Sequence, residues 1–559
     1  MTAPLPTSTV QGDWFARARE LALLLTSWPS VTGQPGETAF AGLLEAELRR
    51  WPIFAAHPEN VWLGRARSGH DAWNIYALVE GQGTQTVLLA GHYDTVSTDD
   101  YGVWQPLAGE TEALLEAMRE TLEVQSVTRG LEAQERLALS DLQSGDFLPG
   151  RGLLDMKGGL AAGLAVLEHY SRLPLEQRPG NLLFVATPDE EGRSSGARAV
   201  AHDLPDIAAR RNLQLVAGLN LDATADVGSG EEGRAAYLGT VGKVLLSALV
   251  VGCPTHAAYP FDGVSASLMA AELLRRVEAN PELADRSEQG EAAAPACLEL
   301  RDSRTQYDVT TPAWIWCAFN VLTVQRQPSE VLALFRSLAE EVAASSQAEF
   351  ARRAAGAGSL NAARLTVQRP SVLTFGELRA LADARVGAEA VRLRIESTLS
   401  GPDPLRASRD VTVALMGLAG LDGPAIILGF GALHYPHTHL GDQPADGILK
   451  AAVARHAQDL AQETGLSLRV RGHFAGISDM SFLGQAANLP EQDCLREQTP
   501  HPAHVDPVPA DALEFPIVNI GPWGRDYHQR LERIHAPYSF QTVPELLWRV
   551  MQDVWQAAK

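Results

Sequence analysis

The spacing of apolar and polar residues predicts helices and strands that alternate along the chain. Apolar residues recur with a helical period in four segments, at 13–28, 40–51, 157–173 and 194–204. Short apolar runs that end in polar residues predict strands at 74–80, 86–96, 181–191 and 213–224. Because helices and strands alternate, we predict an α/β fold in which a mostly parallel sheet is flanked by helices on both faces.

Polar side chains that can bind a metal or carry a proton follow three of these strands. His92 and Asp94 come at the end of the strand at 86–96. Glu190, Glu191 and Asp222 come at the ends of the two strands that follow it along the chain. Sites in such sheets form beyond the carboxyl ends of the strands, so we expect these residues to meet at one edge.

The segment TPDEEGRSSG (187–196) places Asp189, Glu190 and Glu191 next to one another after an apolar run. Three adjacent acids ordinarily form a solvated loop, because like charges repel one another and retain their water. The alternative is a metal site, where one carboxylate binds the cation, its neighbour transfers protons, and the cation offsets the negative charge. The candidate ligands on neighbouring strands favour the metal site.

Asp155 lies in GRGLLDMKGGLAAG (150–163), between two strands that end in candidate ligands. The glycines permit a tight turn, and the helix beginning near Lys157 directs the positive end of its dipole toward the same edge. A glycine-flanked aspartate is more commonly a turn residue or a helix N-cap. Its position between the two strands favours a place in the site.

Histidines decide which metal such a site prefers, since carboxylates alone would suit Mg²⁺ or Ca²⁺ better than Zn²⁺. His92 supplies one nitrogen. A second could come from His528 or His535 in FPIVNIGPWGRDYHQRLERIH (515–535), which begins with another apolar strand. His528 is the better candidate because it lies closer to the strand end.

Composition fits a large globular protein. The chain has 559 residues, 45% hydrophobic and 20% charged, and this length predicts ~3 or 4 domains. A net charge of −22 at pH 7 disfavours binding to nucleic acid or to anionic membranes. The four cysteines are scattered, and neither a signal peptide nor a membrane-spanning apolar run is visible. We therefore expect a reduced, cytoplasmic protein.

Five motifs in register carry a resemblance: LLAGHYDTV, GRGLLDMKGG, TPDEEG, NLD and NIGPWGRDYH. In these motifs the chain resembles the co-catalytic zinc exopeptidases and deacylases, a family that includes glutamate carboxypeptidase, aminoacylase, succinyl-diaminopimelate desuccinylase and tripeptidase T. The likeness covers the first 240 residues and the last 160 well, and the middle more loosely. In its length and its GPWGRDYH motif, the chain looks most like the arginine-utilisation RocB-type proteins.

The resemblance implies two Zn²⁺ ions, which Co²⁺ or Mn²⁺ could replace. The implied ligands are His92, Asp155, Glu191, Asp222 and His528, with Asp155 bridging the two ions. The implied general base is Glu190, and Asp94 would orient His92. This division is physically reasonable, because a carboxylate beside a metal pair can take a proton from water and return it to the leaving amine.

The resemblance also implies a smaller α+β lid domain inserted into the catalytic domain. We place the catalytic domain at 1–242 and 396–559, and the lid at 243–395. About twice the residues expected for the family separate Asp94 from Asp155. We interpret the excess, about 109–146, as an inserted helical hairpin near the site.

The lid is expected to form a homodimer through a free edge of its sheet. In relatives, the histidine that matches His256 reaches the active site of the partner subunit and stabilises the tetrahedral oxyanion. Asn320 and Arg326 are candidates for binding a substrate carboxylate, although Arg326 could equally be an ordinary surface residue.

Three functions remain open from the sequence. The first is hydrolysis of an amide or peptide bond in a small peptide or N-acyl amino acid. The second is an N-carbamoyl amidohydrolase of the same superfamily, for which we would expect a more glycine-rich histidine loop than GHYDTV. The third is a non-catalytic binding protein, which would have no physical reason to retain Glu190.

Overall fold

The computed structural model describes residues 14–558 except 227, 229, 289 and 400–402. The chain forms two compact units. The first unit comprises Met1–Thr240, Thr438–Ala486 and Val508–Lys559, and the second comprises Val241–His437 and Ala487–Pro507. Among the described residues, no helix has both the length and the apolar composition needed to cross a membrane.

The helices are distributed along the whole described chain. In chain order they are α1 (Trp14–Thr26), α2 (Pro35–Leu48), α3 (Pro52–Ala56), α4 (Thr111–Thr128), α5 (Ala133–Ser144), α6 (Gly158–Arg172), α7 (Ser195–Arg211), α8 (Ala266–Val277), α9 (Pro328–Gly356), α10 (Ala362–Val367), α11 (Phe375–Val386), α12 (Ala388–Thr398), α13 (Pro404–Ala419), α14 (Pro444–Thr464), α15 (Leu489–Gln498) and α16 (Val543–Ala557).

The strands alternate with these helices. In chain order they are β1 (Val61–Arg65), β2 (Trp73–Val79), β3 (Gln85–His92), β4 (Phe147–Pro149), β5 (Asn181–Thr187), β6 (Gln214–Asn220), β7 (Thr224–Ala225), β8 (Ala235–Tyr237), β9 (Gly239–Thr240), β10 (Gly242–Val251), β11 (Arg286–Ser287), β12 (Gly290–Glu291), β13 (Ala296–Asp302), β14 (Trp314–Thr323), β15 (Ser371–Thr374), β16 (Ala425–Phe430), β17 (Thr438–His439), β18 (Arg469–Arg471), β19 (Ile517–Ile520), β20 (Trp523–Arg525) and β21 (Arg533–His535).

The first unit is built on an eight-stranded sheet in the order β1-β2-β5-β3-β6-β19-β8-β18. Its central strands β5, β3, β6 and β19 run parallel to one another. The pairs β1–β2, β2–β5 and β19–β8 are antiparallel. The predicted α/β fold with a mostly parallel sheet is therefore confirmed, with antiparallel pairs toward both edges.

Helices cover both faces of this sheet, as the alternation of side chains along β3 shows. Val87 and Leu89 pack in a core with α1, α6 and α16. Leu88 and Ala90 point the other way and pack in a second core with α7. Successive side chains of a strand face opposite sides, so a strand covered on both sides must be apolar at every position.

The second unit has a five-stranded sheet in the order β13-β14-β10-β16-β15. Helices α8 and α9 cover one face, and α11 and α13 cover the other. The sequence predicts a free edge in this sheet without naming the strand that forms it. Strand β10 is not an edge, because it pairs with β14 on one side and with β16 on the other. The edges of the sheet are β13 and β15.

The second unit also continues beyond the predicted lid boundary at 395. It runs to His437 because α13 and β16 contribute to its core and its sheet. It also includes residues 487–507, which contain α15. Parts of the segment at 396–559 that the sequence assigned to the catalytic domain therefore belong to the second unit.

Candidate metal centre

The strand order of the first unit brings the predicted site residues together at one edge. Strand β3 lies between β5 and β6 and is parallel to both, so the three carboxyl ends are adjacent. His92 ends β3, Glu190 and Glu191 lie just beyond β5, and Asp222 lies two residues beyond β6. Asp155 comes from the turn that leads into α6.

One side of the candidate centre consists of His92, Asp155 and Asp222, all of which are buried. The Nε2 atom of His92 lies 3.2 Å from Oδ1 of Asp155 and 3.8 Å from Oδ1 of Asp222. One nitrogen and two carboxylate oxygens thus converge on a common point.

The other side consists of Asp155, Glu191 and His528. The Nε2 atom of His528 lies 3.0 Å from Oδ2 of Asp155 and 2.8 Å from Oε1 of Glu191. The two oxygens of Asp155 therefore face different histidines. A carboxylate in this position is suited to bridge two cations.

Asp94 supports the acidic loop that carries the two glutamates. Its carboxylate accepts hydrogen bonds from the backbone N–H of Glu190 (3.0 Å), the backbone N–H of Glu191 (3.2 Å) and the hydroxyl of Thr32 (2.8 Å). The Nδ1 atom of His92 lies 3.0 Å from the backbone carbonyl oxygen of Asp94 and 3.6 Å from its Oδ1. Asp94 thus contacts His92 chiefly through its main chain.

The charges in the cluster are unbalanced. Burial raises the pKa of Glu190 well above its usual value, the carboxylates of Asp222 and Glu191 raise it further, and His92 opposes the shift only in part. Burial lowers the pKa of His528, but hydrogen bonds to Asp155 and Glu191 outweigh burial and raise this pKa to about 10. More negative charge is gathered here than the two histidines neutralise, so divalent cations fit the site.

The donor set also fits particular metals. The two groups above and a third, made of His92, Glu190 and Glu191, contain histidine nitrogens and carboxylate oxygens. The ligand atoms of each group lie within 4.8 Å of one another. A mixture of nitrogen and oxygen donors without thiolate suits Zn²⁺ and tolerates Co²⁺ or Mn²⁺.

Two further residues of the site were missed by the sequence interpretation. Asp479 is buried, its Oδ2 accepts a hydrogen bond from Thr187 (2.7 Å), and burial raises its pKa to about 7. Asn519 accepts a hydrogen bond from the backbone N–H of Asp222 (2.9 Å) and donates one to its carbonyl (2.9 Å). The polar Asn519 within the apolar strand β19 was a usable signal, whereas no motif marks Asp479.

His535 lies apart from the ligand groups. Its ring is buried against Phe147 and Trp523, with centroid distances of 5.0 and 5.2 Å, and its Nδ1 accepts a hydrogen bond from the backbone N–H of Tyr538. Burial lowers its pKa to about 4. His535 is therefore a packing residue of β21, whereas His528 is in the cluster.

Three predicted site residues lie in the second unit. His256 is on an exposed loop, where its Nδ1 accepts a hydrogen bond from the backbone N–H of Ala258 (3.1 Å). Asn320 is half-buried on β14. The guanidinium of Arg326 donates a hydrogen bond to the carbonyl of Leu283 (2.8 Å) and lies 3.6 Å from the buried Asp285. Arg326 thus already has partners within its own unit.

Two candidate metal-binding groups that share Asp155, at the carboxyl edge of a mostly parallel sheet, are an arrangement suited to a metallohydrolase. The chain belongs to peptidase family M20/M25/M40, whose family model matches residues 133–510.

Two relatives match almost the whole chain, and a third matches about half of it. The Bacillus subtilis protein YqjN is 30% identical over 545 residues, which is 96% of each chain. Protein RocB of Bacillus subtilis is 28% identical over 560 residues, covering 97% of this chain and 95% of RocB. A succinyl-diaminopimelate desuccinylase of Afipia carboxidovorans is 27% identical over 301 residues, covering 54% of this chain and 65% of that enzyme.

Proposed function

We propose that this metallohydrolase cleaves an amide or peptide bond in a small amino-acid derivative, as an exopeptidase or an N-deacylase, with two Zn²⁺ ions. The observation that carries the proposal is the position of Asp155, whose two carboxylate oxygens face His92 and His528 separately. Glu190 lies beside this bridge with its Oε2 3.9 Å from Nε2 of His92. Metal-dependent hydrolysis requires ligands for the metal and a further carboxylate that can accept a proton from water, and these residues supply both.

The ligands divide between two positions. His92 and Asp222 would hold one ion, Glu191 and His528 the other, and Asp155 would bind both. When bound, a zinc pair polarises the scissile carbonyl and lowers the pKa of water toward neutrality. The two hydrogen bonds between the Asn519 side chain and the backbone of Asp222 fix Asp222, and those accepted by Asp94 fix the acidic loop, so the chain holds the ligands in place.

Glu190 is proposed as the general base. Burial and the carboxylates of Asp222 and Glu191 raise its pKa, so this carboxyl takes up a proton more readily than an exposed glutamate does. The carboxylate would accept a proton from the attacking water and deliver it to the leaving nitrogen. Glu191, its neighbour along the chain, faces His528 and is left for metal binding.

The substrate is proposed to be a small peptide or an N-acyl amino acid. The desuccinylase relative is named for removing an acyl group from an amino acid, which supports an N-deacylase. The similarity to RocB supports a role in arginine or amino-acid catabolism, in the cytoplasm. Within the second unit, Asn320 is the stronger candidate for contacting a substrate carboxylate, because Arg326 is paired with Asp285.

The proposed assembly is a homodimer in which His256 acts in the partner's active site. The exposed position of His256 leaves its ring accessible. Edge strand β13 carries Leu298 and Leu300 with 59% and 51% of their surfaces exposed, and an apolar edge of this kind is a natural place for a second copy to pair.

Metal analysis and a substrate screen test the proposal. Protein purified without chelator should contain two zinc equivalents, and removing them should abolish hydrolysis. A panel of N-acyl amino acids, dipeptides and N-carbamoyl amino acids then distinguishes the proposed activity from carbamoyl hydrolysis. Two bound metals without turnover of any compound would instead indicate a binding protein.

A further inference from the structure

The inserted hairpin, defined here as α4 and α5, contacts the loop that carries His528. We call residues 525–533 the histidine loop. It connects β20 to β21 and has polar and apolar contacts with the hairpin and with the residues on either side of it. The hairpin has no role in the metallohydrolase chemistry described above.

The strongest contact is made by Asp141 of α5. Its Oδ2 accepts hydrogen bonds from Nη1 of Arg525 (3.0 Å) and from Nε and Nη2 of Arg533 (2.8 and 2.7 Å). These side chains are nearly inaccessible, with 12% of Asp141, 9% of Arg525 and none of Arg533 exposed. A single buried carboxylate therefore joins both ends of the histidine loop.

Contacts at the beginning of α5 reach the middle of the loop. The amide of Gln134 donates hydrogen bonds to Oδ1 of Asp526 (2.6 Å) and to Oε1 of Gln529 (3.0 Å). Glu135 accepts a hydrogen bond from Nη2 of Arg530 (2.8 Å). Residues on both sides of His528 are thus tied to the hairpin.

An apolar contact with the hairpin and an ion pair with a residue outside it complete the attachment of the loop. Leu531 of the loop is buried in a small core. This core includes Met118 of the hairpin and Trp104 of the segment that precedes the hairpin. The next residue, Glu532, pairs with Arg151 at 2.6 Å and accepts a hydrogen bond from the backbone N–H of Gly152 (3.0 Å).

His528 itself is much less constrained by packing. Its side chain is 41% exposed, its φ is 61°, and its two carboxylate partners, Asp155 and Glu191, are candidate metal ligands. A metal ligand must be held in a narrow range of positions, and residues behind the ligand usually provide that constraint. Here the constraint comes from the contacts of the loop residues on either side.

We propose that the hairpin holds the histidine loop so that His528 is positioned for its metal, with Asp141 and Gln134 as positioning residues. This inference rests on the proposed function, in which His528 is a ligand. Losing a hairpin contact should lower the affinity for the ion bound by His528 and Glu191. The affinity for the ion bound by His92 and Asp222 should not change.

The test is zinc affinity, measured by competition with a chromophoric chelator on purified full-length protein. Asp141→Asn should lower the affinity for one of the two zinc ions by about 10- to 100-fold, the usual effect of losing a residue that holds a metal ligand in place. Asp141→Glu should recover part of the affinity because it restores the charge.

Glu168→Gln is the matched control. Glu168 on α6 is also a carboxylate with two arginine partners, Arg17 and Arg172, each at 2.6 Å, and its side chain is 10% exposed. This change should leave both zinc affinities unaltered. Equal weakening of both ions by Asp141→Asn would assign the hairpin a purely structural role and overturn the proposal.

Gln134→Ala and His528→Ala complete the experiment. Gln134 is exposed, so its change should not prevent folding, and it should weaken the same ion by a smaller factor. Wild-type affinities in both hairpin variants, with loss of one zinc in His528→Ala, would refute only the positioning role. Retention of both ions in His528→Ala would instead refute the ligand assignment in the proposed function.

Discussion

At the scale of single residues, adjacent glutamates have different surroundings. Glu191 faces His528 at 2.8 Å, whereas Oε2 of Glu190 lies 3.9 Å from Nε2 of His92. The backbone N–H groups of both residues donate to Asp94, which fixes the loop, and a carboxylate oxygen of each lies within 4.8 Å of the other. Neighbouring acids with one sequence context can therefore have different roles.

The first prediction concerns Glu190→Gln. We expect the fold and both metals to be retained and kcat to fall by about 10²-fold or more, the scale of general-base catalysis. Glu191→Gln is the matched control, because it should lose metal as well as activity. If Glu190→Gln kept near-normal activity and Glu191→Gln kept both metals, the assignment would be reversed: Glu191 would be the general base and Glu190 the metal ligand.

The second prediction separates His528 from His535. His528→Ala should lose one zinc equivalent, because its imidazole is among the ligand groups. His535→Ala should keep both ions and lower the thermal stability, since its buried ring packs against Phe147 and Trp523. Metal content and melting temperature, measured on both variants, decide between them; loss of zinc on changing His535 would contradict the assignment.

At the scale of elements, the site depends on how closely α6 approaches the sheet. A Cβ atom on Gly159 of α6 would overlap the backbone carbonyl oxygen of Leu221, the residue that precedes Asp222. Gly163, one turn later, lies against the side chains of Leu221, Phe184 and Leu89. The small residues of α6 thus allow the helix to pack against the strand end that carries a ligand.

The third prediction follows from this contact. Gly159→Ala should lower the free energy of unfolding by about 1–3 kcal/mol, as overpacking does, and weaken zinc binding by displacing Asp222. Gly42→Ala is the control, since Gly42 is also helical and no atom lies within 4 Å of its added Cβ. This control should be neutral or stabilising by up to about 1 kcal/mol. Equal unfolding energies of the two variants would refute the packing argument.

At the scale of the whole molecule, the prediction is that a complete active site needs two chains. An inactive His256→Ala protein mixed with an inactive Glu190→Gln protein should recover part of the activity, because one hybrid site regains both residues. Each parent protein alone should be impaired. In His256→Ala the loss of one oxyanion donor should lower the rate by about 10²- to 10³-fold.

Hydrolysis measured after verified subunit exchange provides the test. A mixture of Glu190→Gln with Glu191→Gln is the control, since both changes lie in the same site and no hybrid site can be repaired. A fully active monomer, or no recovery after exchange, would exclude action of His256 in the partner's site.

Much of the first unit could be predicted from the sequence. Strands β3, β5 and β6 each contain a central apolar run (VLLA, LLFVA and LVAGL), and such runs identify buried parallel strands. The residues after them could be placed at one edge because parallel strands all present their carboxyl ends on the same side. The motif order then supplied the roles, which remain predictions for the experiments above.

The second unit was predicted less accurately because strand neighbours are not a local property. The sequence of β10 indicates a strand but contains nothing about which strands flank it. Its neighbours β14 and β16 lie 63 or more residues further along the chain. A strand buried between two others and an apolar edge strand have similar patterns, so the sequence alone does not show which strand forms the edge.

The sequence by itself determined the central strands of the first unit, the helices that alternate with them, the class of chemistry and the candidate ligands, because periodicity and strand-end position are local properties. Only the tertiary structure decided that β10 is central, that Asp479 lies at the site and that Asp141 joins both ends of the histidine loop. Asp141 is separated by 384 residues from Arg525. Contacts of this kind form because buried charges need partners, and folding, rather than chain order, determines which partner is close.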